Sequence, residues 1–234
     1  MKCIGLLGGM SAASTLLYYE ELVRLAGGQG GLHSPNLLIR SLDFAPIADM
    51  QAKGDWAALG RLLNAEAKAL EAAGADLLVL ATNTMHKLAD EICVGVQNPF
   101  IHIADATADA ICAAGHRRPG LMATAFTMEQ DFYTGRLRGA GLDPVIPDPS
   151  DRAETHRIIY EELCRHDIRE DSRSTYIAIA ERLAARGADC LILGCTEVGL
   201  LLNEDNAPLP VFDTTLIHCA AAYEAALAPS PAAG

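Results

Sequence analysis

Cys195 closes the apolar run Leu191 to Gly194 and is followed by Thr196 and Glu197, while Thr82 closes a similar run and is followed by Asn83 and Thr84. A thiol at a strand's carboxyl end, ahead of helical N–H groups, is expected to have its pKa lowered from ~8.5 toward neutrality. Two groups facing one another across a carbon can remove a proton from one side and return it to the other. Threonine is the weaker acid, suited to protonating a strongly basic carbanion and poorly suited to being the resting base. Cys195 is therefore the candidate base and Thr82, or a water it holds, the candidate donor. Glu197 could orient or deprotonate the thiol, although an acidic residue in a first helical turn needs no catalytic reason. Thr82-Asn83-Thr84 also has a helix-capping reading, compatible with ligand binding. His86 and His218 read first as hydrogen-bonded structural histidines, with a supporting role in the site as the second reading. Lys87 reads as solvated, and no phosphate loop supports pyridoxal phosphate.

The elements that position these residues occur twice. Gly-Ala-Asp-Leu-Leu-Val-Leu-Ala-Thr-Asn-Thr from Gly74 recurs 113 residues later as Gly-Ala-Asp-Cys-Leu-Ile-Leu-Gly-Cys-Thr-Glu from Gly187. The alignment superposes Thr82 on Cys195, Asn83 on Thr196 and Thr84 on Glu197. Gly5-Leu6 with Tyr18 and Leu22 matches Gly120-Leu121 with Tyr133 and Leu137 at an offset of 115. Similar offsets in the same order indicate a duplication. Each copy reads as a buried parallel strand delivering polar side chains to its carboxyl end, where ligands of open α/β sheets bind. The expected fold is α/β, with two pseudo-symmetric parallel-sheet lobes and the site in the cleft between them. Residues 1–108 plus 209–234 are expected to form the first lobe and 109–208 the second, because the tail packs most economically back on the first.

Composition narrows the function. The 234 residues carry a net charge of −12 with scattered arginines, which argues against nucleic acid. No apolar run reaches the roughly 18 residues of a membrane span, and the opening Met1 to Leu7 lacks a signal-peptide pattern. Seven cysteines without a C-x-x-C pair suit reduced thiols in a cytoplasmic protein better than disulfides or a zinc knuckle, so no metal is expected.

Along the chain, Lys2 to Leu7 reads as a strand. Gly8-Gly9-Met10-Ser11 is a turn whose backbone can approach a ligand, and a helix follows to about Ala26. These glycines do not match G-x-G-x-x-G. Asn36 to Ser41 reads as the second strand, Asp43 to Gln51 as a loop over the site, and Asp55 to Ala73 as a helix. Asp76 to Ala81 and Phe100-Ile101 are strands, with a helix from Ala104 to Ala114. The second half repeats this with strand Pro119 to Ala123, helix Thr127 to Arg138, an edge strand at Asp143 to Ile146, and helices Asp151 to Arg165 and Glu170 to Arg186. Val211-Phe212 and a helix from Thr215 to Leu227 complete the pattern, and Pro229 to Gly234 reads as a frayed end.

Gly5-Leu6-Leu7-Gly8-Gly9-Met10-Ser11, Thr82-Asn83-Thr84-Met85-His86, Thr127-Met128 with Phe132-Tyr133, Ile159 to Leu163 and Leu193-Gly194-Cys195-Thr196-Glu197 together resemble the aspartate/glutamate racemase family over essentially the whole chain. The resemblance implies a cofactor-independent racemase acting on an amino acid, as a homodimer. The family's usual pattern has cysteine at both facing positions, and Thr82 departs from it. The chain is thus similar to the threonine/cysteine subgroup acting on L-aspartate and L-glutamate, with Cys195 as base and Thr82 as donor. The resemblance further implies that Met10 and Ser11 backbone, Asn83, Thr84 and Thr196 hold the α-carboxylate, with Thr124 and Thr127 contributing. It makes Gln51 a contact to the distal group, and Glu197 and His86 supports. Arg157 or Arg165 would supply a charge for a distal carboxylate. The alternatives are an asymmetric decarboxylase or isomerase using Cys195 alone, and a non-catalytic amino-acid-binding protein.

Overall fold

The computed structural model describes residues 1–165 and 167–229. Its contacts divide the chain into two compact units. The first takes Met1–Ala81, Leu88–His102 and the chain from His218 on, and the second takes Thr82–Lys87 and Ile103–Ile217.

The first unit contains β1 (Ile4–Gly8), α1 (Ala12–Gly27), β2 (Leu37–Ser41), α2 (Phe44–Ala52), α3 (Trp56–Ala72), β3 (Leu77–Leu80), α4 (Ala89–Ile92) and β4 (Phe100–Ile101). Its sheet runs β2-β1-β3-β4 with every pairing parallel. β1 and β3 are the inner strands and are buried along their whole length, which is why they read as continuous apolar runs without alternation. Ile4, Leu6, Leu77 and Val79 meet Tyr18 and Leu22 of α1 in one core. Cys219, Ala222, Tyr223 and Ala226 of the late helix join that core.

The second unit contains α5 (Ile103–Ala113), β5 (Pro119–Ala123), α6 (Ala125–Glu129), α7 (Asp131–Gly139), α8 (Pro149–Glu161), α9 (Glu170–Ala185), β6 (Cys190–Gly194) and β7 (Val211–Asp213). α10 (Thr214–Leu227) begins here, and the division of the chain falls within it, after Ile217. The sheet runs β5-β6-β7, again all parallel. This departs from the expected boundaries. β7 pairs with β6, so 209–217 belong with the second sheet, and 103–108 belong there too, because Ile103, Ala104 and Ala108 pack against Leu121 and Ile192.

The repeated Gly-Ala-Asp is the same structural device used twice. Gly74 and Gly187 follow their helices in the left-handed region, at φ 102° and 90°, where a Cβ would be strained. The aspartate then ties its strand's start to the neighbouring strand. Asp76 Oδ2 accepts the Cys3 N–H at 2.6 Å while Asp76 N–H donates to the Cys3 carbonyl. Asp189 accepts the N–H groups of Arg117 and Arg118 at 2.7 and 3.0 Å while its own N–H donates to the Arg118 carbonyl.

Three elements differ from expectation. Asp43 to Gln51 is mostly helical, as α2, because Asp43 caps it through the Ala45 N–H and Pro46 sits in the first turn, where no N–H is needed. Asp143 to Ile146 contributes one bridge, Gly120 to Val145, because the next residue that would face β5 is Pro147, which has no N–H to extend the ladder. The helix expected over Thr127 to Arg138 is two helices, α6 and α7, separated by Gln130 in extended backbone. The frayed end expected over Pro229 to Gly234 lies outside the described residues from position 230. Among the described residues no helix is long and apolar enough to cross a membrane.

Candidate active site

In the first unit, Gly8-Gly9-Met10-Ser11 forms the expected turn. Gly9 has φ 87°, and a Cβ there would collide with the Leu42 backbone, so only glycine permits this approach. Gly9 N–H donates to Thr15 Oγ1, and Ser11 caps α1 by accepting the Ser14 N–H at 3.1 Å. Met10 is buried, and Gln51 is buried on α2. His218 also lies in this unit, where Tyr18 Oη and the Ile101 carbonyl each stand 2.8 Å from one ring nitrogen. The carbonyl can only accept, so Nε2 carries the proton and Nδ1 accepts from Tyr18. Burial drives the His218 pKa down to about 4. These contacts make His218 a structural histidine.

The second unit gathers the remaining candidates. Thr82, Asn83, Thr84, His86, Thr124, Thr127, Thr196 and Glu197 are all buried polar groups. A hydroxyl chain runs from Thr84 to Thr124 to Thr127 with oxygen spacings of 3.1 and 3.2 Å. His86 accepts the Ile103 N–H on Nε2 at 3.2 Å, so its proton is on Nδ1 and donates to the Thr82 carbonyl at 2.7 Å. His86 thereby fixes the backbone that carries Thr82.

Asn83 is held differently. Thr214 Oγ1 donates to the Leu193 carbonyl at 2.9 Å, which leaves it only lone pairs for Asn83 Nδ2 at 3.1 Å. That bond fixes which end of the amide is which. Asn83 Oδ1 is then a buried acceptor without a hydrogen-bond partner. Such an atom costs free energy unless a donor reaches it.

Cys195 follows β6 and is partly exposed. Its thiol donates to Glu197 Oε2 at 3.0 Å, and Thr196 Oγ1 donates to the same oxygen. Burial first, and then the Glu197 carboxylate, push the Cys195 pKa well above its usual value. The expected lowering by a helix N-terminus is therefore corrected. Only a three-residue 3-10 turn, Val198–Leu200, follows Cys195, so the dipole is small while the nearest charge is negative. Cys164 packs against the same core and is pushed up to about 12 by burial and by Glu197.

Thr214 and His156 were not legible as site residues. Thr214 reveals itself only through its bonds, although a small polar residue at the end of β7 repeats the pattern of Thr82, Thr124 and Cys195. His156 Nδ1 accepts the Ala125 N–H at 3.2 Å, at the start of α6 beside Thr124, and its ring lies against Phe126 and Tyr160. Arg157 points into carboxylates. It binds Glu154 through two nitrogens and Glu162 at 2.9 Å.

Comparison with known proteins agrees with this architecture. The model of the Asp/Glu/Hydantoin racemase family matches residues 7–222, and the chain belongs to that family. A candidate Asp/Glu racemase from Yersinia pestis is 47% identical, with a TM-score of 0.92 over 97% of this chain and 100% of that one. An aspartate racemase homologue from Pyrococcus horikoshii OT3 is 34% identical, with a TM-score of 0.85 over 97% of this chain and 99% of that one. The broad specificity amino-acid racemase RacX of Bacillus subtilis (strain 168) is 23% identical over 216 residues, covering 91% of this chain and 92% of its own.

Proposed function

We propose that the protein racemises an amino acid, with L-aspartate or L-glutamate as substrate, by proton removal at Cys195 and proton return from Thr82 or a water it holds. Glu197 takes the thiol proton across the existing hydrogen bond. The resulting thiolate removes the α-proton, and the carbanion is protonated on its opposite face. The hydroxyls of Thr84, Thr124 and Thr127 receive the α-carboxylate, to which hydroxyl donors are suited, and Thr196 joins them by turning its hydroxyl from Glu197 once that carboxylate holds the thiol proton. His86 keeps Thr82 in place through its carbonyl.

The observation that carries the amino-acid reading is the buried, unpartnered Asn83 Oδ1. An acceptor fixed in this way favours a substrate that brings N–H donors, as an α-ammonium group does. This revises the role expected for Asn83, from carboxylate grip to ammonium acceptor. A malonate brings only oxygen acceptors and would leave Asn83 Oδ1 unpaired, which disfavours decarboxylation by Cys195 alone.

The test is incubation with L- and D-aspartate and L- and D-glutamate in deuterium oxide, following α-proton loss by NMR and enantiomer composition by chiral chromatography. Exchange with inversion from the L-isomers, slower from the D-isomers and absent in Cys195→Ala, is the expected result. Equal rates from both enantiomers would exclude the asymmetric assignment. Absence of exchange with all four, together with carbon dioxide release from a disubstituted malonate, would move the assignment to a decarboxylase. Tight amino-acid binding without exchange would leave a binding protein.

A further inference from the structure

His116, Asp189 and Cys190 present one ligating atom each, all within 4.8 Å of one another, at the amino-terminal ends of β5 and β6. His116 Nδ1 stands 3.7 Å from Asp189 Oδ1, too far for a hydrogen bond. That spacing is close to the separation of about 3.5 Å between neighbouring ligands of a tetrahedral zinc ion with bonds of about 2.0–2.3 Å. The supporting contacts are in place. Arg117 and Arg118 N–H groups orient the Asp189 carboxylate, and the His116 ring rests edge-on against Phe212 with centroids 5.6 Å apart. Burial opposes ionisation of Asp189, but the Arg117 and Arg118 N–H groups, followed by a hydrogen bond from the Cys190 thiol and the nearby His116, outweigh it and hold the carboxyl below its usual range. The side chains of His116 and Asp189 are 24% and 39% exposed, so solvent reaches these two, while Cys190 is fully buried.

The internal repeat supplies a control. In the first copy Asp76 ties β3 to β1 through Cys3, as Asp189 ties β6 to β5. Met1 and Leu77 occupy the positions that correspond to His116 and Cys190. The strand tie therefore needs neither an imidazole nor a thiol, and both ligating residues in the second copy are additions to it.

We propose that His116 Nδ1, the Asp189 carboxylate and Cys190 Sγ bind one divalent transition-metal ion of the zinc type, with solvent in the fourth position. Imidazole and thiolate select zinc or cobalt over magnesium and calcium. Burial, and then the hydrogen bond to Asp189 and its charge, push the Cys190 thiol up, so its proton must leave by way of Asp189 as the sulfur–metal bond forms, which makes binding stronger as pH rises. The ion clips the starts of β5 and β6. Cys195 lies five residues further along, about 16 Å at a rise of about 3.3 Å per residue, so the site is separate from the proton-transfer chemistry.

The experiment is titration of chelator-treated full-length protein with cobalt(II), read by the thiolate-to-cobalt charge-transfer band and by displacement with zinc. One equivalent bound, with the band lost in Cys190→Ser and kept in Cys195→Ser, is expected. His116→Gln should weaken binding at least tenfold. This variant changes a partly exposed side chain, so it decides the matter if Cys190→Ser fails to fold. No band in the wild type, a band that survives in Cys190→Ser or disappears in Cys195→Ser, or unchanged affinity in His116→Gln would overturn the proposal.

Discussion

Cys195 donates its thiol proton to Glu197 Oε2 across 3.0 Å. The carboxylate stabilises the thiol against ionisation and is also the group positioned to accept its proton. Glu197→Gln separates these effects. Removing the negative charge lowers the thiol's pKa, so alkylation of Cys195 should become faster at a given pH. Turnover should nonetheless fall by roughly 10²–10⁴-fold, because proton acceptance is lost. Alkylation and turnover measured on the same preparation check this. Parallel losses in both would mean that Glu197 only supports the fold.

How far the sequence was legible follows from what each feature depends on. The strands β1, β3, β5 and β6, each buried along its whole length, were readable because burial on both faces demands unbroken apolar runs. α2 was obscured because Pro46 and the short segment resemble a loop, although Asp43 was a capping signal. The polar residues after the strands were legible by type, but their roles depended on partners distant in the chain. Nothing local to Asn83 indicates that Thr214, 131 residues away, will fix its amide. The ionisation of Cys195 was misread for the same kind of reason. Strand-end position suggests a dipole, whereas the fold supplies burial and a carboxylate. The metal-type cluster escaped spacing rules because strand pairing brings His116 to Asp189 and Cys190.

Asn83 gives a second prediction. A hydrogen bond to a charged group contributes about 1.5–3 kcal/mol, so Asn83→Leu should raise KM for an amino acid roughly tenfold to a hundredfold. Thr214→Val removes the hydroxyl that anchors the amide and should produce a smaller rise through loss of orientation. Steady-state kinetics on the preferred amino acid distinguish the two. A KM unchanged in Asn83→Leu would contradict the ammonium assignment.

His218 makes the first unit acid-sensitive. Its folded pKa is lowered by burial from 6.5 to about 4. Above pH 6.5 the imidazole is neutral in both folded and unfolded chains, and its full contribution is present. Between 6.5 and 4 only the unfolded chain takes up the proton, so stability is lost as pH falls, reaching about 3 kcal/mol near pH 4. Urea unfolding at several pH values should show a steeper loss in the wild type than in His218→Gln. Identical slopes would contradict the assignment.

Arg157 and Arg165 were equal candidates for a distal carboxylate, and α8 separates them. Arg157 is engaged by Glu154, Glu161 and the buried Glu162, whose other oxygen accepts from Ser172. Its hydrogen bonds to Glu154 and then Glu162 raise its pKa further, so its charge is committed within the protein. Breaking a buried ion pair costs about 3–5 kcal/mol, and the 39% exposure of the Arg157 side chain reduces that to about 1–2 kcal/mol. Arg157→Ala should therefore lower stability in urea unfolding and leave KM for aspartate within a few-fold. Arg165 lies exposed at the end of the 3-10 turn Leu163–Arg165, and under the proposed function it is the remaining candidate for a distal carboxylate. Arg165→Ala should leave stability nearly unchanged and raise KM for aspartate and glutamate at least tenfold, with no comparable change for alanine. The reverse pattern, a raised KM in Arg157→Ala with unaltered unfolding, would show that the carboxylate cluster releases Arg157 when substrate binds.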